Sequence, residues 1–266
     1  MRSTSMPQGL VPMWFRTVWR QPVALYSLSF CAGLLVWQFI AARLPDVVFA
    51  SPAQVFASLA QNIASGTIPL ALVGSLQHML LGLVLALLVA VPLGFLMGRS
   101  DTAFRMFDPI VNAIFSIPSV AFVPFLIIWF GVHFEARVAL VFVMCVFDIL
   151  VTVAAGARNI EPRVLDVARS FSADRWLTFS RVMLPASLPF LFTALRIGTV
   201  RAVNAMITAE LFFATVYLGE MMEDAKAFFD APTMLSVVLL LALIGLGAQE
   251  GLKAAEARLM PWVIRS

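Results

Sequence analysis

Three ionisable side chains, Asp148, Arg196 and Arg201, interrupt stretches that are otherwise apolar and long enough to cross a bilayer, and Glu210 stands near the end of one of them. A carboxylate or guanidinium in hydrocarbon is costly, so each must pair with another group, face a bundle interior or line a wet cavity where it meets a charged solute. Depth selects among these options. At 1.5 Å per residue, Asp148 lies roughly 16 Å into its run and Arg196 roughly 14 Å into the next, counted from opposite faces. In an apolar core about 30 Å thick the two reach the same level, which predicts a structural Asp148–Arg196 pair between neighbouring helices. Arg201 lies about 140° further around the helix from Arg196 and is left, with Glu210, as a residue of a translocation path.

Other chemistries lack their residues. Cys31 and Cys145 both sit in apolar runs, as buried small hydrophobes do, and give no disulfide framework. His78 and His133 are isolated in or beside apolar runs and read as core or interfacial histidines, so no metal site is expected. The two lysines, Lys226 and Lys253, do not follow a glycine, and the chain therefore has no phosphate-binding G-x-x-x-x-G-K-[ST] loop. It is not expected to hydrolyse ATP or to act as a membrane enzyme.

The elements that must position these charges are membrane helices. With 61% hydrophobic and 12% charged residues, the 266-residue chain is far from soluble composition, and it has room for about six spans of about 20 residues. We read an all-α, polytopic membrane protein with a polar segment 1–22, a six-span domain 23–254 and a tail 255–266. The spans are expected at 23–42, 70–98, 109–134, 138–157, from 185 to about 210, and 231–249. A short helix is expected in the outer loop 44–67. Pro118 and Pro124 should kink the third span toward the bundle interior. Acidic residues Glu220, Glu223, Asp224 and Asp230 mark the loop before the last span.

Residues 161–185, within a polar loop 158–185, are the one long polar-helical stretch. Pro162 suits a first helical turn, and Val164, Leu165, Ala168 and Phe171 make an apolar stripe opposite Arg163, Asp166, Arg169 and Ser170. Ser172 is placed to cap a second helix, which Pro185 should stop at Leu184.

This stretch resembles the cytoplasmic EAA loop of ABC importer permeases. Asp166, Val167 and Ala168 fall on the E-A-A positions, Ser172 on the glycine, and Val182, Leu184 and Pro185 on the closing aliphatic-x-L-P. Asp for Glu shortens the carboxylate by one methylene, and Val for Ala enlarges an apolar contact. Ser for Gly costs about 1 kcal/mol if that residue must take φ > 0. The strings ASPAQV, GSLQHMLLGLVLALLVAVPLGFLMG and SIPSVAFVPFLIIWFG are similar to the permeases for sulfonates, taurine, nitrate and bicarbonate. Glu210 matches a glutamate common in that family, which often has glycines near 217 and 219; Tyr217 departs from this and Gly219 keeps it.

The resemblance implies a type I ABC importer permease with two copies forming the pathway. It also implies two ATPase subunits beneath, carrying ATP and Mg, and a solute-binding protein outside. Asp166, Val167, Ala168, Arg169, Ser172, Leu184 and Pro185 would couple the chain to the ATPase. The similarity to the sulfonate and nitrate group favours a small organic or inorganic anion as solute.

Charge distribution supports the orientation independently of any family. Of the 18 Lys and Arg residues, 13 fall in the segments that this layout puts inside, and only Arg137 and Lys226 fall in outer loops. By the positive-inside rule both termini and the 161–185 loop face the cytoplasm; the resemblance implies a bacterial inner membrane. The net charge of +3 belongs to these loops and does not point to nucleic acid. The rival reading is an ion-coupled secondary transporter with Asp148 and Glu210 as proton or sodium sites. It predicts an internal inverted repeat, and no such repeat is visible by eye.

Overall fold

The structure is a computed structural model. It describes residues 22–160, 174–213 and 215–259, together with positions 163, 166, 168, 170 and 171. Among the described residues there are helices and no strands. The first helix, α1 (Pro22–Ala41), is apolar and presents Tyr26, Phe30 and Leu35 outward, as a lipid-facing span would. Trp37 Nε1 ties it to the next loop by donating to the Ala50 carbonyl at 3.0 Å. The expected outer-loop helix is α2 (Pro52–Ala64). Ser51 and Gln54 form a capping box, in which each side chain satisfies the other's otherwise unpaired backbone N–H. Ser58 on α2 shares a 3.0 Å hydroxyl bond with Thr233.

Next come α3 (Thr67–Arg99), α4 (Asp101–Phe115), a 3-10 turn (Ser119–Phe122), α5 (Val123–Phe130) and α6 (Phe134–Arg158). The polar loop contributes α7 (Arg175–Thr178) and a π-helical turn (Phe179–Met183). The chain then continues through α8 (Leu184–Phe212), α9 (Tyr217–Ala227) and α10 (Ala231–Leu259). Among the described residues, four helical stretches are long and apolar enough to cross a bilayer: Thr67–Arg99, Phe134–Arg158, Trp176–Phe212 and Ala231–Ala255.

The third expected span differs from the reading of 109–134 as one kinked helix. Residues 101–108, which fall between the expected spans 70–98 and 109–134, begin α4 instead, because Ser100 caps it by accepting from the Ala103 N–H at 3.2 Å. The chain then bends by 87° between α4 and the Ser119–Phe130 segment. Pro118 at this bend has no N–H to continue a ladder and restricts the residue before it. Pro124 instead occupies the first turn of α5, where proline is tolerated.

Close approach of α3 and α6 makes the centre of the bundle. Gly82, Ala86, Ala90, Gly94 and Gly98 recur every four residues and form a ridge of small side chains along α3. Ala86 and Ala90 have no exposed surface. A Cβ on Gly94 would stand 2.8 Å from Val153 Cβ and 3.0 Å from the Leu150 carbonyl oxygen, so the backbones approach as closely as small residues allow. Gly94→Leu should therefore force the seam apart and cost about 1–3 kcal/mol, read as a lower melting temperature in detergent. Gly33→Leu is the control, since nothing lies within 4 Å of a Cβ there.

The α6–α8 contact fixes the register of the charges. Gly156 meets Phe190, Ile149 meets Gly198, and Arg137 donates to the Phe213 carbonyl. The helices run antiparallel, and these contacts bring Asp148 level with Arg201. Arg196 lies more than one turn nearer the cytoplasmic end.

Candidate functional site: a charged cavity, a buried outer cluster and a cytoplasmic loop

The pairing at Asp148 corrects the depth argument. Arg201 Nε lies 3.0 Å from Asp148 Oδ2, and Arg201 Nη2 donates to Oδ1 at 3.1 Å, a two-pronged contact that matches the guanidinium fork to the carboxylate. The expected Asp148–Arg196 pair gives way to Asp148–Arg201, and Arg201 is not the partnerless charge it was taken for. The error came from counting depth from Pro185, whereas the helix runs unbroken from Trp176 to Phe212.

The pair is not sealed in the bundle. The Arg201 side chain is 47% exposed and that of Asp148 is 16% exposed. Both line a cavity of ≈ 250 Å³ with Ser116, Ser119, Phe122 and Phe147, at the bend between α4 and α5. The position of Arg201 on a candidate path thus coexists with its pairing.

A second cluster lies toward the outer end of α8. Glu210 is 1% exposed, and its Oε2 accepts from the Gly219 backbone N–H at 2.6 Å. His78 Nε2 lies 3.7 Å from Glu210 Oε1. Arg137 is 2% exposed, donates to the Phe213 carbonyl at 2.7 Å and to Thr215 Oγ1 at 3.0 Å, and attracts Glu210 electrostatically. These contacts fasten α9 onto α3, α6 and α8. Glu210 is here a buried anchor of the outer helix and does not line the cavity around Arg201.

Tyr217 explains a departure seen in the sequence. Its φ is 61°, a left-handed conformation that favours glycine. Its ring stacks against His78 and lies where a side chain on Gly74 would stand, and the Arg137 guanidinium sits 5.8 Å above it. The strain of a non-glycine residue at this position is offset by a packing site that Gly74 opens.

Sequence reasoning missed Arg137, counted as an outer-loop charge, and gave His78 no role beyond the core. The available signal for His78 was its isolation in an apolar stretch, which in a membrane helix calls for a partner; Arg137, close to His133 and Glu135, carried no such signal.

The 158–185 loop is partly described. Val167, Arg169 and Ser172 lie outside the described residues. Positions 163, 166, 168 and 170 are helical; Asp166 is exposed and Ala168 is 7% exposed. Ser170 Oγ donates to the Asp166 carbonyl at 3.0 Å. Phe171 and Trp176 are 82% and 73% exposed.

Leu184 and Pro185 do not stop the helix as expected. The π turn lets the Leu184 N–H reach the Phe179 carbonyl, and the missing donor of Pro185 falls in the first turn of α8. Phe179 packs edge-on against Phe95 of α3, with ring centroids 5.6 Å apart. The loop is therefore joined to the bundle by one continuous helix.

Long apolar helices, a charged cavity between them and an exposed helical loop at one end define a polytopic transporter subunit. The comparisons give the particular family. Residues 90–258 match the family described as the binding-protein-dependent transport system inner membrane component, and the chain belongs to it.

Among its relatives, a probable ABC transporter permease of Brucella abortus (strain 2308) is 30% identical over 92% of this chain and 97% of its own length. The taurine transport system permease protein TauC of Escherichia coli (strain K12) is 30% identical over 93% of this chain and 94% of its own. The nitrate import permease protein NrtB of Leptolyngbya laminosa is 28% identical over 65% and 62%. In fold, the chain is similar to a chain of the MetNI methionine ABC transporter in an inward-facing conformation. That likeness has a TM-score of 0.62 at 18% identity, and covers 72% of this chain and 95% of the other.

Proposed function

We propose that this permease works as one of two identical copies in a bacterial inner membrane and carries a small solute bearing an anionic group into the cytoplasm. A solute-binding protein delivers the solute from outside. Separate ATPase subunits, which hold ATP and Mg, bind the 158–185 loop from the cytoplasm. The observation that carries the solute pathway is the cavity at the bend after α4, where a half-exposed guanidinium and its Asp148 partner line the space with Ser116, Ser119, Phe122 and Phe147. Relatives named for taurine and nitrate transport support the solute class. The continuous Trp176–Phe212 helix supports coupling, because a push on the loop would move α8 and Arg201 with it.

Uptake measured with the assembled importer tests the solute reading. A lysine at position 201 keeps the charge and loses the fork, so Arg201→Lys should retain partial uptake. Arg201→Gln should lower it about tenfold or more, the loss expected for one charge-assisted hydrogen bond. Normal uptake by Arg201→Gln would remove this residue from the path.

A further inference from the structure

Two rows of apolar side chains run side by side along α3 and α6. Leu81, Leu85 and Val89 recur every four residues on one helix, and Phe134, Val138 and Phe142 do so on the other. Gly82 backs onto Val138 and Val141 with no side chain between, which holds the two rows in register. Together with Phe130 of α5 they line a groove of ≈ 400 Å³. At 1.5 Å per residue each row runs about 12 Å along its helix, and Leu81, Leu85, Val89 and Phe130 remain exposed. The groove is separate from the cavity around Arg201, since no residue lines both.

Only one charged residue lines the groove. Glu135 stands in the first turn of α6, one residue inside the span Phe134–Arg158, and so at the depth of lipid headgroups. It is exposed, and among the described residues no side chain pairs with its carboxylate. A long apolar slot with a lone carboxylate at its end matches an acyl chain whose headgroup ends in an amine. We propose that this groove binds one membrane lipid bearing a protonated primary amine, with an acyl chain along α3 and α6 and the ammonium on Glu135.

The acyl chain supplies little preference, because the surrounding lipid tails are as apolar as the groove. Selection therefore rests on the headgroup: Glu135 attracts an ammonium and repels an anionic headgroup that lacks one. A helix from a second copy of this chain fits the charge less well. It would have to bring a cation to Glu135, and at this end of the bundle the cations are engaged. Lys226 is held by Glu223 at 2.9 Å, Arg137 is buried, and Arg43 lies over the Phe39 ring. The lipid site depends on the membrane helices alone and goes beyond the transport reading.

Native mass spectrometry tests the proposal on the full chain, purified with its ATPase subunits and exchanged into micelles that hold dioleoyl phosphatidylethanolamine and dioleoyl phosphatidylglycerol in equal amounts. The phosphatidylethanolamine should be retained about fivefold over the phosphatidylglycerol, the ratio that one charge at the membrane surface supplies. Glu135→Gln should abolish that preference. Leu85→Trp, which fills the groove from an exposed position, should release the bound phosphatidylethanolamine without altering the number of copies. Equal retention of the two lipids by the unaltered protein would reduce the site to ordinary surrounding lipid and overturn the proposal. An undiminished preference in Glu135→Gln would also overturn it, as would a changed copy number in Leu85→Trp, which would make the groove an interface between copies. The comparison of lipids on the unaltered protein needs no variant to fold. The ATPase subunits counted in the same spectra report on the permease reading separately, so the two can fail independently.

Discussion

Glu210→Ala should destabilise the protein by about 1–3 kcal/mol, the cost of leaving a buried donor without its acceptor. The Gly219 N–H would lose its acceptor at 2.6 Å, and Arg137, only 2% exposed, would lose the nearby negative charge. Glu210→Gln should cost less, because the amide oxygen still accepts from Gly219 while the charge is lost. The melting temperature of the detergent-solubilised protein reads both. The damage should concentrate on α9, which Glu210 and Arg137 hold to the bundle, so hydrogen exchange in 217–227 should rise first. An unchanged melting temperature in Glu210→Ala would show that this cluster does not anchor the outer helix.

Asp166→Lys should abolish solute uptake while leaving insertion and folding intact. Asp166 is exposed on the described part of the 158–185 loop, away from the buried core. On the proposed assembly it faces the ATPase, where the reversal would replace an attraction with a repulsion. A bulky polar replacement of Ala168, which is 7% exposed, should act through packing and give the same uncoupling. ATP hydrolysis should continue at its basal rate in both variants and no longer respond to solute and binding protein. Normal uptake by both would detach the loop from coupling.

Much of this architecture was legible because membrane spans announce themselves as long uncharged runs. α3, α6 and α10 fall close to where those runs lie. The start of α4 was not legible, since Asp101, Arg105 and Asp108 interrupt the apolar run that marks a span, while Ser100 caps a helix that contains them. The partner of Asp148 was missed because depth was counted from Pro185, and a π turn carries the helix past that proline without a break.

The seam of small residues on α3 and the outer cluster depend on which faces meet. Arg137 illustrates the difficulty: it lies near the start of α6, where a sequence layout puts an exposed loop charge, yet α8 and α9 close over it. The departure at Tyr217 was visible in the sequence, but the left-handed backbone and the space opened by Gly74 were not.

Affinity purification of the tagged full chain from its native membrane in mild detergent tests the central claim most directly. A permease of this family, coupled through the 158–185 loop, should co-elute with an ATPase that carries the phosphate-binding loop this chain lacks. Recovery of the folded chain without any such ATPase, together with solute uptake that collapses under a protonophore while cellular ATP is held constant, would contradict the account.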